Sequence, residues 1–148
     1  MDEQTKHEAH QWLLKADHDL RSAARLMYGG DEPILDTAVY HCQQAAEKAL
    51  KAYLTGNGVI FPKMHLLSSI LELCMTLDET FVQLLEAVEL LTPLATEFRY
   101  PGDVLEPTLE DADEACRVAT DVVRFVIDRL PDPEAIEKKQ SLCEVTRV

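Results

Sequence analysis

The segment Ala38-Val39-Tyr40-His41-Cys42-Gln43-Gln44-Ala45-Ala46-Glu47-Lys48-Ala49-Leu50-Lys51-Ala52-Tyr53-Leu54 decides the fold. Leu35, Ala38, Cys42, Ala45, Ala49 and Tyr53 recur with the three- and four-residue spacing that lines one face of an α-helix. The small side chains at 38, 45 and 49 imply that a second helix approaches this face closely. At about 100° per residue, Tyr40, Gln44, Glu47 and Lys51 fall within a narrow arc on the opposite side. Two readings of that arc stand. It is a solvated face, on which a Glu47–Lys51 pair contributes a few tenths of a kcal/mol; or Gln44, Glu47, Lys48 and Lys51 line a groove or a partner interface.

Outward from this segment the chain repeats the same pattern. Trp12, Ala16, Leu20, Ala23 and Met27 lie on one face of a helix over 5–28, and Gly29-Gly30 ends it, glycine accepting left-handed C-cap geometry at little cost. Asp31-Glu32-Pro33 marks the start of the second helix and Thr55-Gly56-Asn57-Gly58 its stop. A shorter helix over 65–76 turns Leu66, Leu67, Ile70, Leu71 and Cys74 inward. Asp78 caps a fourth, which carries Phe81, Leu85, Val88 and Leu91. Pro93 breaks that helix and leaves 94–100 as a second piece. Thr108 caps the last long helix, where Ala112, Cys116, Ala119, Val123, Val126 and Leu130 repeat, and Pro131-Asp132-Pro133 stops it. Nothing reads as a strand. The expectation is an all-α antiparallel up-and-down bundle of four to five helices over 1–131, with a polar tail over 132–148.

Composition agrees. The 148 residues suit one domain with a real core, and five glycines are too few for a turn-rich β fold. A net charge of −13 counts against duplex nucleic acid as a partner, because that binding draws on a basic surface releasing counterions; a small nucleotide pocket is not excluded. Cys42, Cys74, Cys116 and Cys143 show no paired CxxC spacing, so no zinc ribbon is expected, and three of them fall on apolar stripes. The start Met1-Asp2-Glu3-Gln4 lacks the basic and apolar parts of a secretory leader. No apolar run approaches the roughly 20 residues needed to span a bilayer. The expectation is a cytoplasmic protein without a membrane partner.

The segment 38–54 resembles the second helix of HEPN domains (higher eukaryotes and prokaryotes nucleotide-binding). Three further features fit that family in the same order: Trp12, Ala16, Asp17, Leu20 and Ala23-Ala24 in the first helix, His65-Leu66 after the second, and Arg99-Tyr100-Pro101 opening the last loop. One departure is Leu67, where aspartate is usual, which argues against a carboxylate paired with His65. The resemblance implies a helical bundle, usually a homodimer, often encoded beside or fused to a minimal nucleotidyltransferase. It implies either nucleotide binding beside that transferase or metal-independent RNA cleavage. Cleavage depends on an arginine followed after four to six residues by a histidine, a pair that can stabilise phosphate charge and move a proton. None of His7, His10, His18, His41 and His65 follows an arginine at that distance, and no histidine follows Arg99.

The expected reading is therefore a non-catalytic, homodimeric module that docks a minimal nucleotidyltransferase or holds a nucleotide-like anion, without cofactor or metal. The residues proposed for that ligand are Gln44, Glu47, Lys48, Lys51, His65, Arg99 and Tyr100. The alternative is a divergent ribonuclease, the toxin of a toxin–antitoxin pair, using Arg99 with a partner other than histidine. Each site residue also has a plainer role. Arg99 offers a fork for phosphate, or else clamps helix carbonyls, Glu97 or Asp103. His65 lines the site, or else caps a helix. Glu3, His7 and His10 share a face at metal-like spacing but lie on an exposed end, and Asp17-His18-Asp19 reads as an exposed polar patch. Trp12 reads as a core or interface anchor rather than a ligand platform.

Overall fold

The computed structural model describes residues 2–102 and 105–130. Among these residues it is all-helical, with five α-helices: α1 Glu3–Tyr28, α2 Leu35–Gly56, α3 Leu67–Leu77, α4 Leu85–Leu91 and α5 Leu109–Ile127. The stop at Pro131-Asp132-Pro133, the polar tail and Cys143 lie outside the described residues.

Helix α1 starts at Asp2, whose carboxylate accepts from the Thr5 amide at 2.7 Å. It ends at Gly29, although not in the left-handed geometry expected there: φ is −92°. Space explains the glycine, because a Cβ would stand 2.7 Å from the Arg25 carbonyl oxygen. The Ile34 amide then donates to the Leu26 carbonyl at 2.9 Å and folds the chain back. Helix α2 begins only at Leu35, with no side-chain cap, so Asp31-Glu32-Pro33 belongs to the connection rather than to the first turn. At its far end Gly58 takes a φ of +72°, a region where a side chain would be strained, and the Val59 amide returns to the Leu54 carbonyl.

Helix α2 is the centre of the bundle, packed along α1 on one side and α5 on another, with α3 also against it. The stripe Ala38, Cys42, Ala45, Ala49, Tyr53 is buried as expected. A second stripe is buried too: Val39, Gln43, Ala46, Leu50 and Leu54. α1 brings Ala9, Ala16, Ala23 and Ala24 to the core, and small residues on both helices permit close approach.

Two details of the second half differ from the periodic reading. Leu66 is exposed just ahead of α3, while Leu67, Ile70, Leu71 and Cys74 are buried. The segment after Asp78 is a 3₁₀ helix, Glu79–Leu84, before α4 begins. At three residues per turn the inward positions fall at Phe81 and Leu84, then Val88 and Leu91, and Leu85 is left exposed. Phe81 is fully buried between Tyr53 of α2 (ring centroids 4.4 Å) and Phe125 of α5 (5.0 Å). Pro93 falls in a short 3₁₀ helix, Thr92–Ala95, and the chain beyond it runs in turns rather than as a second helical piece.

Burial keeps the Cys74 thiol protonated: desolvation pushes it up to about 12. Asp78 moves the other way. The Thr80 hydroxyl and then its backbone N–H hold the carboxyl below its usual value. Its contribution to stability is therefore complete above the unfolded carboxylate value and fades as pH falls through the lower folded value. Asp78→Asn removes that acid-side dependence, which paired urea titrations at neutral and acid pH would show as a smaller loss than in the parent protein. Thr108 caps α5 through a reciprocal box with Asp111, both bonds 3.0 Å. Thr108→Ala should cost about 1 kcal/mol, a fall in Tm of roughly 2–4 °C by calorimetry for a domain this size.

Candidate functional site

The polar arc of α2 is not a solvated face. Glu47 is 3% and Lys51 5% exposed, because α2 is covered on this side as well. Lys51 Nζ donates to Glu47 Oε2 at 3.1 Å, and His65 Nδ1 stands 3.1 Å from the same oxygen. His65 lies in the connection, two residues ahead of α3, with most of its side chain exposed. Its partner is thus a carboxylate after all, supplied by α2 rather than by its own loop. Lys51 Nζ also lies 5.4 Å from the centre of the Trp12 ring, close enough for a cation–π contact.

A second charged cluster forms toward the start of α2. Asp19 of α1, 6% exposed, accepts from Lys48 Nζ at 2.6 Å and faces His41 Nδ1 at 2.7 Å. Contrary to expectation, Asp17-His18-Asp19 is not an exposed polar patch. Asp17 is 1% exposed with Arg21 at 3.7 Å, and only His18 faces solvent. The signal for Asp19 was present in the spacing: it stands three residues after Ala16 and four before Ala23, on the apolar stripe itself. Side chains on a helix lean toward its N-terminus, which carries the Lys48 ammonium back to Asp19 and the Lys51 ammonium back to Glu47.

Arg99 reaches this end of α2 from the turns that follow Pro93. Its guanidinium carbon lies 4.3 Å from the centre of the Tyr40 ring and 5.9 Å from that of Tyr100. The Tyr40 and His41 rings meet edge to face at 5.7 Å. Arg99 and His41 therefore both flank Tyr40. Linear spacing of arginine and histidine does not reveal this neighbourhood, because it joins residues far apart in the chain. A guanidinium held over an aromatic face keeps its N–H groups available to serve an anion. Of the acids weighed as clamps for Arg99, Glu97 lines a cavity of about 260 Å³ with Val39, Leu94, Phe98 and Glu114. Asp103 lies outside the described residues.

The seven residues named from sequence do not make one pocket. Arg99 and Tyr100 gather with Tyr40 at one end, Lys48 turns back to Asp19, which also faces His41, and Glu47, Lys51 and His65 gather at the other end, beside Trp12. Tyr40 and Lys51 are about 16 Å apart along α2. Gln44 lies between them and donates to Gln43 Oε1 at 2.7 Å. Among the described residues no three His, Cys, Asp or Glu side chains are grouped to hold a metal, and that includes Glu3, His7 and His10. What the first end can do chemically is grip a phosphate oxygen with Arg99. Asp19 engages Nδ1 of His41, which leaves Nε2 as the nitrogen available for proton exchange.

Magnitude separates the two clusters' roles. As an exposed pair, Glu47–Lys51 would contribute a few tenths of a kcal/mol. Buried, it makes removal of one partner costly, because the other charge is left uncompensated. Glu47→Leu should destabilise the fold by about 3–5 kcal/mol in urea unfolding, and Lys51→Met in the same chain should restore most of that loss. An equal loss in the single and double variants would show that Lys51 does not depend on Glu47.

The comparisons with known proteins agree with this architecture. The family model for the HEPN domain matches residues 9–130. A Methanocaldococcus jannaschii protein named "Putative toxin MJ1304" is 29% identical over 142 residues, covering 86% of this chain and 91% of that one. The crystal structure of TT1696 from Thermus thermophilus superposes with a TM-score of 0.69 at 31% identity, covering 82% of this chain and 98% of that one. The structure of ST0689, an archaeal HEPN homologue, does so with a TM-score of 0.65 at 26% identity, covering 83% and 98%. A bundle built on a buried, alanine-lined second helix, matched along nearly its whole described length, places this chain in the HEPN family.

Proposed function

We propose that this protein is a toxin-related HEPN module that binds the phosphate of a nucleotide-like ligand at the Tyr40–Arg99 end of α2, without itself cutting RNA. The observation that carries the reading is the guanidinium of Arg99 over the Tyr40 ring, whose edge meets the ring of His41. In a chain of net charge −13, this end of α2 carries an arginine on an aromatic support that can present its N–H groups to an anion. Similarity to a protein named as a putative toxin supports the broader, toxin-related part. We further propose a cytoplasmic homodimer that docks a minimal nucleotidyltransferase. Among the described residues no helix is long and apolar enough to cross a membrane. The partner is checked by whether a small nucleotidyltransferase encoded next to this chain co-purifies with it.

A second reading is favoured by one observation, the orientation of His41 by buried Asp19. In RNA cleavage, His41 Nε2 would take the proton of a ribose 2′-hydroxyl. The 2′-oxygen would attack phosphorus, and the bond to the 5′-oxygen would break as that oxygen takes up a proton from water, the hydroxide so formed being neutralised by the proton His41 gives up; a 2′,3′-cyclic phosphate results. Arg99 would balance the charge on the phosphoryl oxygens.

Two measurements divide these readings. Arg99→Ala should weaken binding of inorganic pyrophosphate roughly tenfold by calorimetry, as expected for loss of a charge-assisted hydrogen bond, with the melting temperature unchanged. A sharp fall in melting temperature would instead make Arg99 a structural clamp. Incubation with total RNA should leave it intact with the parent protein. Cleavage that disappears in both Arg99→Ala and His41→Ala would establish the nuclease reading.

A further inference from the structure

We propose that the groove beside Trp12 is a second binding site, for a flat aromatic anion with an N–H donor on the edge opposite its charge. The groove has a volume of about 360 Å³ and is lined by Glu8, Gln11, Trp12, Lys15 and Thr55, at the lower end of the range of small-molecule sites. Trp12 is half-buried and packs against the core, so its ring is held in place before any ligand arrives. Lys51 backs it: this ammonium is buried, lies 5.4 Å from the ring centre and does not line the groove, and Glu47 holds it there. The indole is thus a fixed apolar wall open to the groove, suited to stacking a planar ring.

The polar rim sets the ligand's direction. Helices α1 and α2 run antiparallel, so the end of α2 at Thr55 meets the start of α1 at Glu8, while Lys15 lies about 10 Å further along α1. Lys15 is exposed and can hold a phosphate or a carboxylate. Glu8 and Thr55, near the negative end of the α2 dipole, favour a donor there. The Gln11 amide sits between, able to donate and accept along the ring edge. One chemistry meets all of this: an aromatic ring with an amino or N–H group at one end and an anion at the other. A purine monophosphate and an amino-substituted aromatic carboxylate both have it.

This site is separate from the Tyr40–Arg99 end. Trp12 and Asp19, which belong to the two clusters, are about 10 Å apart along α1. The inference stands whether or not the α2 anion site does.

Trp12 is the one tryptophan of the 148-residue chain, so its fluorescence reports on the groove alone. Excited at the red edge, it should be quenched saturably by AMP, by 4-aminobenzoate, or by both, and not by inorganic phosphate. Lys15→Ala should weaken that binding roughly tenfold, the loss of one charge-assisted contact, while Arg99→Ala should leave it unchanged. Saturation by AMP alone assigns the site to nucleotides, and by 4-aminobenzoate alone to aromatic carboxylates. Three results would overturn the proposal: no saturation with either compound, affinity unaltered by Lys15→Ala, or quenching abolished by Arg99→Ala.

Discussion

Helix α2 lies at the centre of the bundle and is covered on nearly every side, yet it carries Gln43, Glu47 and Lys51 at positions closed to water. A charge taken out of water costs several kcal/mol unless an opposite charge is held against it. This constraint arranges much of what surrounds α2. Lys51 must lean back to Glu47, Gln43 must take the Gln44 amide, and Asp19 must be met by Lys48 and His41. Small residues make the arrangement feasible, because alanines on α1 and α2 bring the two backbones close enough for Asp19 to reach across.

The same burial turns structural pairing into chemistry. Once Asp19 engages Nδ1 of His41, the imidazole is oriented by a carboxylate that faces inward, and its neighbour Tyr40 becomes the surface on which Arg99 rests. At the other end, the ammonium that neutralises Glu47 also braces the Trp12 ring. Two aromatic side chains, Trp12 and Tyr40, thus lie against cations, and each borders one of the proposed anion sites.

The remainder of the bundle serves to close the core over α2. The 3₁₀ segment after Asp78 changes the rotation of the chain so that Phe81 enters between Tyr53 and Phe125. Arg129 then fastens the end of α5 to that turn: its guanidinium covers Phe125 and reaches the Thr80 hydroxyl and the Asp78 carboxylate. The connector from Pro93 onward is left short of helix, which lets Arg99 turn back onto α2.

By itself the sequence determined the all-α class, a bundle of four to five helices and most of the inward-facing residues, because helical period and capping are local properties of consecutive residues. It also singled out Arg99 and the polar residues of α2. Burial around the helix could not be read there. An arc of Tyr40, Gln44, Glu47 and Lys51 opposite an apolar stripe looks identical whether water or another part of the fold covers it. Likewise Leu85 for Leu84 was a matter of local winding, and a 3₁₀ turn leaves no distinct mark in the apolar pattern. Only the tertiary structure decided that Asp19 meets His41, that Glu47 meets His65, and that Arg99 rests on Tyr40. Each of those contacts joins segments distant in sequence, and it is the packing of whole helices that sets which of their side chains meet.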